Sequence, residues 1–415
     1  MDASPTGLPP PRIGPRHGAL RRASGAIFPL WRHVAAFFLL LWATPLAFPV
    51  PGLADITLPI GFVIGLTGPG APDDSDIWDG ALLAVEEINA AAPGGLHIVM
   101  TAHDTRGTPI MAKSATKQAI AAGAAILLAP SYSSQALEAA KVAQGAGIPI
   151  ISVIATHPGI TAVGDKVFRI CFDDNDQADV MATFARRDLA AATAVILTDV
   201  TSAYALAMAD AFRKRFLDLG GRVMAEIEYK MQQRHFDEVV KQAARAKADV
   251  LFMPGYWLDA SIMIKQMHGE GLGAIPLAGD GWGSSQFENL RGELPRRGYY
   301  TDHWAAFMTD EISRRFSTAY AARFGRQPVA GSALAYDAVH MAALAAMTVG
   351  HAQPQALALA LANMRDVQGV TGVLTFVPEG TIKKSVHIMK IQNGKASLLR
   401  TVIPEASPHV PHAQE

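Results

Sequence analysis

The sequence predicts an α/β protein of two doubly wound lobes joined by three chain crossings. Three observations carry that prediction. From Thr57 onward, short apolar runs alternate with amphipathic helical stretches, the pattern of a parallel sheet covered on both faces. The whole layout then repeats without any sequence repeat. Finally, two long helical stretches follow with no third sheet to cover, so they must return to a lobe already built.

The first set of strand-like runs is Leu58–Leu66, His97–Ala102, Ala125–Ala129, Pro149–Ile154 and Val167–Cys171. Helical stretches fall near 77–91, 109–122, 135–146 and 158–163. In the first of these, Trp78, Ala81, Leu82, Val85 and Ile88 share one face while Glu86 and Glu87 lie off it. The second set of strands is Ala194–Thr198, Arg222–Glu228, Val250–Met253, Ile275–Ala278 and Gly298–Thr301, with helices near 176–190, 202–219, 235–247, 258–270 and 284–291. The long helices, Asp310–Phe324 and Ser332–Val349, and a short one at 354–364 are assigned to the first lobe. A hairpin of Gly372–Phe376 and Val386–Gln392, turning at Pro378-Glu379-Gly380, is assigned to the second. Crossings are then expected near 172–175, 301–305 and 367–371, and parallel crossings make a hinge. The expected division is 55–172 plus 303–368 for one lobe and 173–302 plus 369–403 for the other, with a disordered tail at 404–415.

The amino terminus reads as an address. Arg21, Arg22 and Arg32 precede an apolar run from Val34 to Val50, and small residues stand at Gly52 and Ala54. This is the layout of a secretory signal peptide over 1–54, cleaved after Ala54, and it predicts an exported, periplasmic protein. Among 415 residues the formal net charge is −1, which leaves no footprint for nucleic acid. A single cysteine, Cys171, rules out an internal disulfide and a cysteine-based metal site. The 13 histidines show no HExxH spacing, so no metal and no cofactor are expected.

Ligands of open parallel sheets bind beyond the carboxyl ends of the strands, where the strand order reverses. For an order 2-1-3-4-5 those ends are 66–70, 131–134 and 154–157 in one lobe, and 199–204, 255–257 and 279–282 in the other. Ser133 and Thr156 stand there as neutral hydroxyls on one side. Tyr204, Tyr256 and Asp280 stand on the other, with Trp257 and Trp282 as further candidates. Ser133 sits where a strand gives way to a helix, so it suits either a helix cap or a contact to an anion at the free N–H groups of the first turn. Hydroxyls and amides facing a carboxylate across a cleft make a trap for a zwitterion.

Several phrases together resemble the periplasmic branched-chain amino-acid binding proteins, type I solute receptors of ABC transporters. They are Pro59-Ile60-Gly61-Phe62, Leu66-Thr67-Gly68-Pro69, Gly80-Ala81 with Ala84-Val85-Glu86-Glu87-Ile88-Asn89, Ala146-Gly147-Ile148-Pro149, Ala155-Thr156-His157-Pro158, Gly279-Asp280-Gly281 and Ala335-Tyr336-Asp337-Ala338-Val339. The resemblance implies the type I periplasmic binding fold, two Rossmann-like lobes on a three-strand hinge. By it, Ser133 resembles the carboxylate-binding serine, and Ile154 and Thr156 the pair that supplies a backbone N–H and a hydroxyl. Tyr204 and Tyr256 resemble the aromatic residues facing the ligand, and Asp280 the acid that takes the α-ammonium. Three features depart from the family pattern. Ser152-Val153 replaces Ser-Pro, the disulfide of some members is absent, and the stretch from Gly70 to Asp76, read as a loop, is acidic.

The function expected is capture of an amino acid, branched-chain or otherwise apolar, for delivery to an inner-membrane ABC permease by a monomeric receptor that is not an enzyme. Two alternatives stand beside it: an amide, urea or aromatic acid as cargo, and a ligand-sensing regulator. Hydrolase chemistry finds no support. Ser114-Ala115-Thr116-Lys117 has the Ser-x-x-Lys spacing without its companion motifs.

Overall fold

The computed structural model describes residues 55–404 apart from 69, 234, 270–272 and 287–294. The signal peptide, the tail beyond 404 and most of the helix expected near 284–291 lie outside the described residues.

Two parallel-stranded sheets organise the chain. The first contains β1 (Ile56–Ile64), β2 (Leu96–Asp104), β3 (Ile126–Leu128), β4 (Ile150–Ser152) and β5 (Val167–Arg169), in the order β2-β1-β3-β4-β5. Its middle strand, β3, is apolar at every position and wholly buried, as a strand covered on both faces must be. One face carries α2 (Pro109–Ala121) and α3 (Ser133–Ala146), packed on Val63, Leu127 and Ile150. On the other lie α1 (Ala71–Ala91) and two helices from late in the chain, α9 (Ala330–Val349) and α10 (Pro354–Ala362). The α9 helix is long and apolar enough to cross a membrane, but two-thirds of it is buried and it serves as core. The preceding helix, α8 (Glu311–Phe324), packs beside α1 through Phe316 and Tyr320. The late helices thus pack with the elements of the first sheet.

The second sheet runs β14-β13-β10-β9-β8-β6-β7. Its parallel part is β6 (Thr193–Asp199), β7 (Arg222–Tyr229), β8 (Val250–Phe252), β9 (Ile275–Ala278) and β10 (Arg297–Asp302), again in the 2-1-3-4-5 order. An antiparallel pair, β13 (Val386–Gln392) and β14 (Lys395–Val402), extends it along β10. Helices α4 (Asp174–Arg187) and α5 (Ala203–Asp218) cover one face, and α6 (Asp237–Ala246) and α7 (Trp257–Gly269) the other. Polar caps start several of these helices. Asp173 accepts from the amides of Asn175 and Asp176 at α4, and Ser202 from that of Ala205 at α5.

Three expectations need correction. The acidic stretch 70–76 is the start of α1 rather than a loop. Pro72 occupies an opening position where its missing N–H costs nothing, and Asp73 and Asp74 sit against the positive end of the helix dipole. The terminal hairpin is β13 with β14. Residues 372–374 form β12 (Gly372–Leu374), paired instead with β11 (Val367–Gly369). The third crossing also comes later than 367–371, and the expected lobe boundary at 368 falls short. Leu374, Phe376 and Ile382 pack in the first core, whereas Val386 and Ile388 pack in the second. Lys384 bridges that step, donating to the Ile170 carbonyl at 3.4 Å and to the Thr371 hydroxyl.

Candidate functional site

The carboxyl ends of the two sheets meet around one cavity of about 70 Å³. A water needs roughly 10–15 Å³ on such a measure, so the cavity suits a solute of a few heavy atoms beyond its charged groups. From the first lobe it is lined by Ser131, Tyr132, Ser133, Ile154, Ala155 and Thr156, and by Asp73, Asp76 and Ile77 of α1. From the second come Tyr204, Tyr256, Trp257, Asp280, Gly281 and Ser284.

One corner is hydroxyl-rich. Ser133 is the first residue of α3, after Tyr132 at the cap position, so it does not itself cap the helix. Its hydroxyl accepts from the His157 amide at 3.3 Å, which ties the β3 end to the β4 end. Thr156 follows β4 and faces Asp174, whose carboxyl is fully buried and pushed well up by that burial. Above this corner Ile154 and Ile77 form an apolar wall. Gly331 leaves room for them, since a Cβ there would lie 2.8 Å from Ile77.

The opposite corner is a carboxylate. Asp280 opens a short 3-10 turn after β9 and is 8% exposed. Its Oδ1 accepts from Gln177 Nε2 at 2.9 Å, and Oδ2 lies 3.1 Å from His303 Nε2. Between the corners runs a row of rings. Tyr204 stacks on Tyr256 at 5.3 Å, and Tyr132 reaches across from the first lobe to Tyr256 at 4.4 Å. Tyr204 also accepts a hydrogen bond from the Gly281 amide, which fixes the turn that carries Asp280.

This geometry places Ser133, Ile154, Thr156, Tyr204, Tyr256 and Asp280 around one space, with Trp257 beside them. Trp282 is not there. It is fully buried in the second core with Tyr300 and Met389, because the 3-10 turn at 280–282 sends its third side chain inward. The residue that sequence reasoning missed is Asp73. It lies in the stretch expected to be a loop, but helical phasing brings it onto the cavity. There its carboxylate accepts from Trp257 Nε1 at 2.8 Å, Ser284 Oγ at 2.5 Å and the Tyr132 hydroxyl at 3.4 Å. Burial raises its pKa against those three donors. The signal available was the acidic cluster itself, beside a proline fit to open a helix.

The family model for periplasmic binding proteins matches residues 57–396. The chain is a periplasmic binding protein. Among curated relatives of this periplasmic binding protein, the Leu/Ile/Val-binding protein homolog 3 of Brucella melitensis is 28% identical over 377 residues, covering 85% of this chain and 96% of the relative. Among solved structures, the branched-chain amino acid transporter substrate binding protein LivJ of Streptococcus pneumoniae, in complex with isoleucine, is 27% identical. It superposes with a TM-score of 0.78 over 83% of this chain and 98% of that one. An ABC-transporter solute binding protein of R. palustris in complex with benzoate shares the fold at a TM-score of 0.77 and 21% identity, over 84% of this chain and 97% of that one.

In this binding protein hydrogen bonds close the cleft. Besides the Asp73 bonds, Ser285 Oγ donates to Asp76 Oδ2 at 2.5 Å and the Ala203 amide donates to Ser134 Oγ at 3.2 Å, each across the cleft. Asp76 is further paired with Arg326. Among the described residues no group of histidine, cysteine and carboxylate side chains is arranged to hold a metal.

Proposed function

We propose that this periplasmic binding protein captures an α-amino acid, branched-chain or otherwise apolar, between its lobes and presents it to an inner-membrane ABC permease. One observation carries the reading. A neutral hydroxyl corner, Ser133 and Thr156, and a carboxylate, Asp280, line one cavity from opposite lobes, with Ile77 and Ile154 lining it too. The α-carboxylate belongs at Ser133, Thr156 and the Ile154–Thr156 backbone, each charge-assisted bond contributing about 1.5–3 kcal/mol. The α-ammonium belongs at Asp280. Micromolar capture needs about −8 kcal/mol, which these bonds and a buried aliphatic side chain supply. Only a ligand with both charges serves both lobes, so it favours the closed state. The part of the chain that performs this work is the exported portion after Ala54, in two lobes that divide near 172, 303 and 384. It carries its cargo unchanged.

A second reading has one observation in its favour. The Tyr132–Tyr256–Tyr204 row would stack on an aromatic acid. Against it, Asp280 and Asp73 would face such a ligand without a cation to offset them.

A thermal-shift screen against L-leucine, L-isoleucine, L-valine, benzoate and acetamide tests both. The apolar amino acids raise the melting temperature, and Asp280→Ala abolishes the rise. Benzoate stabilising the protein while leucine does not would overturn the amino-acid assignment.

A further inference from the structure

The carboxylate assigned to the ammonium is held from behind by the chain crossings themselves. Gln177 is fully buried one turn into α4, just after the first crossing. Its Oε1 accepts from the Asp280 amide at 3.1 Å and from the Thr301 hydroxyl at 2.8 Å, so its Nε2 must face the carboxylate. His303 stands at the second crossing, immediately after β10. Its ring is fully buried, stacked on Phe172 at 3.6 Å, with Nε2 on Asp280 Oδ2. An ionised carboxylate only accepts, so Nε2 must carry a hydrogen, and in the neutral ring Nδ1 is then bare. Nδ1 has no hydrogen-bond partner among the described residues.

We propose that His303 is the positioning residue of the ammonium anchor, and that a second proton on its ring competes with the cargo's cation for Asp280. The proposal rests on the amino-acid reading above. With a neutral ring, Asp280 is oriented by two donors but keeps its full charge and free lone pairs toward the cavity. With Nδ1 protonated, Asp280 and His303 form an internal ion pair, and the incoming ammonium meets a neutralised anchor. Capture under those conditions releases one proton from Nδ1 to solvent. The groups around the ring set the window. Asp280 and the Asp302 carboxylate, which takes the His303 amide at 2.7 Å, favour the proton. Burial opposes it, as do Lys384 and Arg169, and the net effect is to hold the imidazole below its ordinary value. His387, itself lowered to about 4, and Asp174, reached through Gln177, complete the surroundings. The sign follows. Affinity is full above the His303 pKa and falls as pH drops through it, by at most about tenfold per unit for one competing proton.

Isothermal titration of the exported protein with L-leucine from pH 8 to pH 5 tests this. Wild type is expected to lose affinity on acidification and to release protons at the acid end, read as a buffer-dependent heat. His303→Gln, which keeps a neutral donor, is expected to bind several-fold more weakly at pH 8, with its buffer-dependent heat gone and its acid loss reduced. His303→Leu, which leaves Asp280 one donor short, is expected to bind more weakly still. Should either variant fail to fold, ring-nitrogen NMR of wild-type His303 decides: an Nε2–H tautomer whose titration moves to lower pH with leucine supports the proposal. A wild-type affinity that is flat with pH, or an acid loss and proton release undiminished in His303→Gln, overturns it. Absence of amino-acid binding at pH 8 overturns the capture reading, and this one with it.

Discussion

Asp73 shows how one side chain can join two lobes. It belongs to α1 of the first lobe, yet two of its three donors, Trp257 and Ser284, belong to the second. A charge-assisted bond contributes more than a neutral one, so this carboxylate is a substantial part of the closed interface. Asp73→Ala strips the acceptor from the indole N–H of half-buried Trp257 and from a serine. Expected is a loss of amino-acid affinity of about five- to thirty-fold, from about 1–2 kcal/mol less closure energy, with an unchanged far-UV circular dichroism spectrum. Titration calorimetry measures the first. An unaltered affinity would mean that these cross-cleft bonds contribute nothing to closure. Ser133, Thr156 and Asp280 were legible in the sequence because each sits at a strand end whose position follows from counting elements. Asp73 was not, because whether 70–76 is loop or helix decides which way it faces.

At the scale of elements, the contact between α1 and α9 is what returns the late helices to the first sheet. The two backbones approach so closely at Gly80 that a Cβ there would lie 2.0 Å from the Ser332 carbonyl oxygen. That neighbour is backbone and cannot rotate away. Gly80→Ala must therefore spread the two helices, at a cost of about 1–3 kcal/mol. Expected is a melting temperature lower by several degrees, read by calorimetry. Helix and strand positions were readable to within a few residues because periods of 3.6 and 2 are written locally. The pairing of 372–374 was not. Strands this short carry no signal for which partner they meet, and the Pro378-Glu379-Gly380 turn suggested the wrong one.

For the whole molecule, burial of carboxylates has a pH signature. Asp74 and Asp176 are each raised to about 7 from 3.8, chiefly by desolvation, and burial raises Asp174 as well. Between pH 4 and 7 the folded state then binds more protons than the unfolded chain, so stability falls as pH rises across that window. The contribution is fully present below pH 4 and lost above 7. Expected in denaturant titrations of the cargo-free protein is a lower unfolding free energy at pH 7.5 than at pH 5.5. Asp74→Asn, which keeps one acceptor for Gly65 or Ser131, is expected to flatten that slope. A slope of opposite sign would place these groups in water.

By itself the sequence determined the alternation of strands and helices and, once a 2-1-3-4-5 order is assumed, the strand ends where a solute would sit. Both follow from local periodicity and from the rule that parallel sheets open at their switch points. Only the tertiary structure decided that Asp73 joins the cavity while Trp282 leaves it, that the last crossing waits until Lys384, and that His303 backs Asp280. Each of those depends on the direction of a side chain, or on contacts between residues more than 20 positions apart, and such contacts leave no periodic trace in the chain.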